Sequence, residues 1–211
     1  MNQTLIERVK NIKFLGVTID EYLEWDLQVK NVIKKMIAGN YSLAMVKNML
    51  PVESKLLIYY ANVKSHATYG IAAWGPLLTK KLLKNIKIQQ NKSMRLIFNV
   101  GNRSNLKVLY RKGKILMIDD IIKLELLKVS HRHIYDKLPA RLINLFDITR
   151  HTYNTRNRTN LRALHHTTLQ YNKSFLGASP HLWLQLSNNL KEKRKLKNFI
   201  KSYSKHVYQA Y

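Results

Sequence analysis

Two adjacent acids, Asp119 and Asp120, follow the apolar pair Met117 and Ile118. Carboxylates held side by side can bind the two Mg²⁺ ions that bridge attacking and leaving oxygens in phosphoryl transfer. A polymerase arrangement needs those carboxylates on rigid strands, with a further acid from a separate strand. Here the next residues, "IIKLELLKVSHRHIYDKL", carry a helical period, so the pair is expected to cap and charge a helix start. A second acidic group, Asp20, Glu21, Glu24 and Asp26, could gather a cation but reads as the solvated beginning of a helix. The histidines at 131, 133, 151, 165, 166 and 181 have no HExxH spacing, and without cysteine there is neither a disulfide frame nor a thiolate zinc site. Phosphate-loop, hydrolase-elbow and dinucleotide glycine motifs do not occur. The sequence thus offers no catalytic residue, no metal site and no cofactor motif.

Binding chemistry is more strongly represented. Lys and Arg number 37 against 12 Asp and Glu, a formal charge of +25, which points to a polyanionic partner such as RNA, DNA or an RNA/DNA duplex. Residues 1–26 carry a net −2, from three basic and five acidic side chains, so the rest of the chain holds +27. No acid occurs between Asp147 and Glu192, whereas Arg150, Arg156, Arg158 and Arg162 do. Within that basic band, "YNTRNR" places Tyr153 beside the arginines, a pattern that can neutralise phosphates and stack on bases. Lys84, Lys87, Lys92 and Arg95 form a second basic group. An apolar content of 45% suits a folded core. No stretch has the uncharged apolar length of a membrane span, and Met1 to Lys13 lacks the features of a signal peptide, so no membrane partner is expected and the compartment is left open between nucleus and cytoplasm.

These groups require elements to position them. Ile12, Phe14, Val17 and Ile19 favour a short strand or hairpin over residues 12–19, with Gly16 permitting close backbone approach. Helical spacing predicts a helix from Trp25 to about Asn48. A second begins at Pro51 and runs, apolar around most of its circumference, to "WGP" at Trp74–Pro76. Thr79 is expected to cap a third, amphipathic and basic helix through residue 100. A shorter helix spans Asn105–Lys112, with Ser104 as cap and Gly113 as stop. Asp119 caps the next, and Pro139 opens a short piece to Phe146. The thirty residues after Asp147 read as extended or loop, Pro180–Leu186 as a helical turn around Trp183, and Leu196, Phe199, Ile200, Tyr203 and Val207 as a final amphipathic helix. The expected fold is mainly α: an N-terminal strand or hairpin over 1–22, a helical thumb-like bundle over 23–147, and a basic extended arm with a C-terminal helix over 148–211.

Five segments in order, "FLGVTID" with "LEW", "LPVESKLLIYYANVKSHATYGIAAWGP", "IQQNKSMRLIF", "YNTRNRTNL" and "FLGASPHLWLQL", resemble the carboxy-terminal portion of LINE-type (non-LTR) retrotransposon reverse transcriptases, especially the jockey-like group. The likeness runs from about Lys13 to Ile200. It implies that Phe14, Leu15 and Gly16 are a primer-grip element between palm and thumb, and that the following helices are the thumb that closes over template and primer. It also implies that the family's catalytic aspartates, of the Tyr-Ala-Asp-Asp hairpin type, precede the "LGV" strand. The chain is then expected to be a fragment, a decayed copy or a separately used remnant that does not polymerise by itself, with a palm-containing polymerase chain as a candidate partner. The alternative expectation is a structural or interaction remnant with no nucleic-acid role. One departure lies near the C terminus: family members often carry Trp-Asn before Leu-Pro, where this chain has Trp183-Leu184 and Leu186-Ser187.

Overall fold

The apolar run at the N terminus folds back on itself as a hairpin, one of the two forms expected of it. The computed structural model describes residues 8–136, 147–148, 161–162 and 167–211. In it β1 (Asn11–Phe14) pairs antiparallel with β2 (Val17–Asp20), Phe14 opposite Val17 and Asn11 opposite Asp20. Leu15 (φ 45°) and Gly16 (φ 82°) make the two-residue turn, and both have positive φ, as the right-handed twist of a tight hairpin demands. Gly16 adopts that conformation at little cost, which is why the strand or hairpin expected over residues 12–19 takes the hairpin form.

Asp20 organises the loop into the first helix. Its carboxylate accepts the backbone N–H groups of Glu24 and Trp25, both at 2.8 Å, and of Tyr22 at 3.2 Å. That loop turns Trp25 inward and launches α1 (Asp26–Val46), which buries Val29, Val32, Met36 and Leu43. The long helix expected from Pro51 to Trp74 is interrupted. α2 (Val52–Tyr59) passes into a π-helical turn (Tyr60–Lys64) and then α3 (Ser65–Thr68). Tyr69 is extended and Gly70 has φ 61°, so the axis breaks there before α4 (Ile71–Trp74) and a 3₁₀ turn through Pro76. The wide turn coincides with a close approach to α1, since a Cβ on Gly39 would lie 2.5 Å from the Asn62 carbonyl oxygen and 2.7 Å from Val63.

Thr79 caps α5 (Lys80–Phe98) as expected, accepting the Leu82 N–H. α6 (Leu106–Gly113) is capped by Asn105 in place of Ser104, and Lys114, not Gly113, takes the left-handed closing conformation. α7 (Ile118–His131) starts one residue before Asp119, so neither acid is its cap; both occupy the first turn, where they face the positive end of the helix dipole. A π-helical turn, Arg132–Asp136, comes after it. The helical piece expected over Pro139–Phe146 lies outside the described residues. β3 (Asp147–Ile148) pairs antiparallel with β4 (Leu161–Arg162).

Part of the segment read as loop is helical: α8 (Leu169–Lys173) and α9 (Phe175–Leu184) precede α10 (Asn188–Lys191) and α11 (Leu196–Ala210). The polar run masked a helix start after Ser174, well before the Pro180 that the sequence made prominent. The protein is mainly helical, with a two-stranded hairpin first. Its buried apolar residues form one cluster from Trp25 to Val207, in which Trp74, Trp183, Tyr59, Tyr110 and Phe199 are the largest fully enclosed side chains.

Candidate nucleic-acid interface

The hairpin does more than begin the fold. Asn31 of α1 donates its side-chain N–H to Thr18 Oγ1 at 3.2 Å, and the Thr18 N–H donates to Gln28 Oε1 at 2.9 Å, so β2 is tied along the first turns of α1. Tyr69 ties the other end, its hydroxyl donating to the Leu15 carbonyl at 2.7 Å. Between these fastenings lies an open groove of about 640 Å³. Lys13 enters from β1, Lys34 and Lys35 from α1, and His66 from α3, with Asn31 and Tyr69 as neutral hydrogen-bonding groups. Among the described residues no carboxylate lines it, and none of the three lysines is ion-paired. Ammonium groups with no acid to neutralise them, around polar donors and an aromatic ring, suit a phosphodiester backbone and are the wrong chemistry for a metal ion.

The expected binding residues fall into several environments. Gly16 lines the groove, while Phe14 and Leu15 sit exposed at the hairpin tip. On α5, Leu82, Ile86, Met94 and Ile97 face the core, which turns Lys84 and Lys92 to solvent. Lys87 lies on the flank and is held 2.8 Å from Asp119 of α7. Arg95 is half-buried and donates from Nη2 to the Asn102 carbonyl at 3.4 Å, which draws its guanidinium back toward the protein. Arg162 belongs to β4, opposite Asp147. Arg150, Tyr153, Arg156 and Arg158 lie outside the described residues. The exposed face of α5 is thus led by Lys84 and Lys92, with Lys87 committed to an internal ion pair.

No family model, curated protein or solved structure matches this chain.

The acids are explained by local structure. Burial alone raises the Asp20 carboxyl, but the backbone N–H groups of Glu24, Trp25 and Tyr22, with its own, outweigh it and hold the group below its ordinary value. Asp119 pairs with Lys87, and Asp120 lies 3.8 Å from Lys123 and accepts the Tyr211 hydroxyl. Among the described residues, no three His, Asp or Glu side chains converge as a metal-holding group.

Lys13, Lys34, Lys35 and His66 were not among the expected binding residues. One signal was present: residues 27–52 contain four lysines and no acid. What the spacing did not contain was the hairpin folding back to give α1's lysines an opposite wall.

Proposed function

We propose that this chain is a nucleic-acid-binding, thumb-like portion of a non-LTR retrotransposon reverse transcriptase, gripping RNA, DNA or an RNA/DNA duplex through its backbone. The observation that carries this reading is the carboxylate-free cationic groove between the hairpin and α1. It begins at Gly16, within the element that the family resemblance assigns to the primer grip. Lysines that contact phosphates hold any sequence equally, which is what a polymerase thumb requires. Lys84 and Lys92 on α5 supply a further exposed cationic face. Polymerisation belongs to a palm-containing polymerase chain; Asp119 and Asp120 sit in a helical first turn, engaged by Lys87, Lys123 and Tyr211.

The test is a salt titration with the purified chain and a fluorescent RNA/DNA hybrid. Affinity is expected to fall roughly a hundredfold or more between about 50 and 200 mM salt if ~6 phosphates are contacted. Lys34→Ala with Lys35→Ala is expected to reduce the slope of log K against log salt by about 2, uniformly across sequences. Flat salt dependence would remove the nucleic-acid role and favour an interaction remnant. Mg²⁺-dependent primer extension by the chain alone would overturn the assignment of polymerisation to another chain.

A further inference from the structure

α1 buries one side, made by Val29, Val32, Met36 and Leu43, and its outer side ought to be hydrophilic. The outer side is hydrophilic at its start, where Lys30 and Lys34 stand one turn apart, and along the flank that exposes Lys35 and Ser42. Beyond them come Ile37, Tyr41 and Met45, then Met49 in the turn after the helix, each four residues from the last and exposed by 48%, 68%, 60% and 80%. Fourfold spacing stacks side chains along one side of a helix, so Ile37, Tyr41 and Met45 make an apolar stripe about 12 Å long, which Met49 continues into the following turn. Scattered exposed apolar residues are ordinary; three in register on one helix face, continued by a fourth in the next turn, are not.

We propose that this stripe docks an acidic amphipathic helix of a partner protein, apolar over Ile37 to Met49 and carrying Asp or Glu over Lys30 and Lys34. Charge decides the choice of occupant. Residues 27–52 hold Lys30, Lys34, Lys35 and Lys47 against one exposed acid at either end, Asp26 and Glu53, so an acidic segment meets net favourable charge along the stripe. A second copy of this chain would bring another +25 and the same lysines against them. A nucleic-acid backbone would meet Ile37, Met45 and Met49, none of which donates a hydrogen bond to phosphate. Helix-in-groove recognition, by contrast, uses apolar anchors at just this repeat. The stripe owes nothing to the reverse-transcriptase reading, although Lys34 also lines the cationic groove, so an acidic helix seated on the stripe reaches its edge.

The probe is a fluorescein-labelled synthetic helix of about 18 residues, with leucines along one face and glutamates on the others, titrated with the full chain at about 150 mM salt. It is expected to bind about tenfold or more tightly than a scrambled peptide of identical composition. Tyr41→Ser with Met45→Ser, and separately Met49→Ser, are expected to weaken binding while leaving the helical circular dichroism unchanged, because all three side chains are solvent-exposed. Lys30→Gln with Lys34→Gln should weaken the acidic peptide and not its Gln-substituted counterpart. Equal affinity for the scrambled peptide, or indifference to the serine variants, would overturn the proposal. So would transfer of the serine effect to another ligand: duplex RNA, phosphatidylserine vesicles, or self-association seen by sedimentation.

Discussion

Tyr211 donates its phenolic hydrogen to the Asp120 carboxylate at 2.5 Å while its oxygen accepts the Met117 N–H at 2.8 Å. One hydroxyl thereby closes the start of α7 from 91 residues away, supplying the cap that neither aspartate provides. Burial, followed by the hydrogen bond to Asp120, raises the Tyr211 phenol above its ordinary value, so it remains a donor at neutral pH. Tyr211→Phe leaves a helix N–H and a partly buried carboxylate short of a partner. The variant is expected to lose about 1–3 kcal/mol in urea unfolding. A loss below a few tenths would show that water replaces the phenol freely.

Gln90 holds three elements at once. Its amide donates to the Tyr59 hydroxyl and the Leu116 carbonyl, and its carbonyl accepts the Ile118 N–H, all in the buried interior. Gln90→Leu keeps the volume and strands all three partners, so a destabilisation of at least about 2 kcal/mol is expected. The measurement is the thermal midpoint followed by circular dichroism; an unchanged midpoint would contradict it.

Acid sensitivity should concentrate at Asp20. Its folded carboxyl lies below the ordinary 3.8, so its contribution is present above that value and disappears as pH falls through the folded value. Because solvent reaches the group, the stabilisation is small, on the order of 1 kcal/mol or less after screening. Asp20→Asn is expected to flatten stability between about pH 5 and 3 relative to the parent chain. Parallel profiles for the two proteins would show that the N–H cluster does not favour the ionised form.

The hairpin turn carries a backbone cost at Leu15, a side chain with φ 45° that is 76% exposed. Asn at that position suits the same two-residue turn, so Leu15→Asn is expected to raise stability by about 1 kcal/mol. Gly16→Val should do the opposite by at least as much, because a β-branched residue resists φ 82°. Denaturant midpoints of the two variants displaced in the same direction would refute backbone strain as the cost of this turn.

Local periodicity was legible in the longer helices and faded in the polar run before Ser174. The apolar spacing located α1, α5, α7 and α11, and Thr79 announced its own helix, because caps and amphipathic faces depend on residues within a few positions of one another. Misreadings came where a single residue's backbone angle outweighed the pattern: Gly70 broke an apolar helix, and Lys114 ended α6 where Gly113 was expected to. The overall positive charge was plain in the composition, yet its working distribution was not. Lys87 resembles Lys84 in sequence, but it meets Asp119 on another helix while Lys84 stays in solvent. The sequence by itself determined a basic, helical protein with a turn-prone N terminus. Tertiary structure alone decided which lysines are spent on internal acids and which surround an acid-free groove, since Coulomb pairing depends on separation in space and helices far apart in sequence set that separation by their packing.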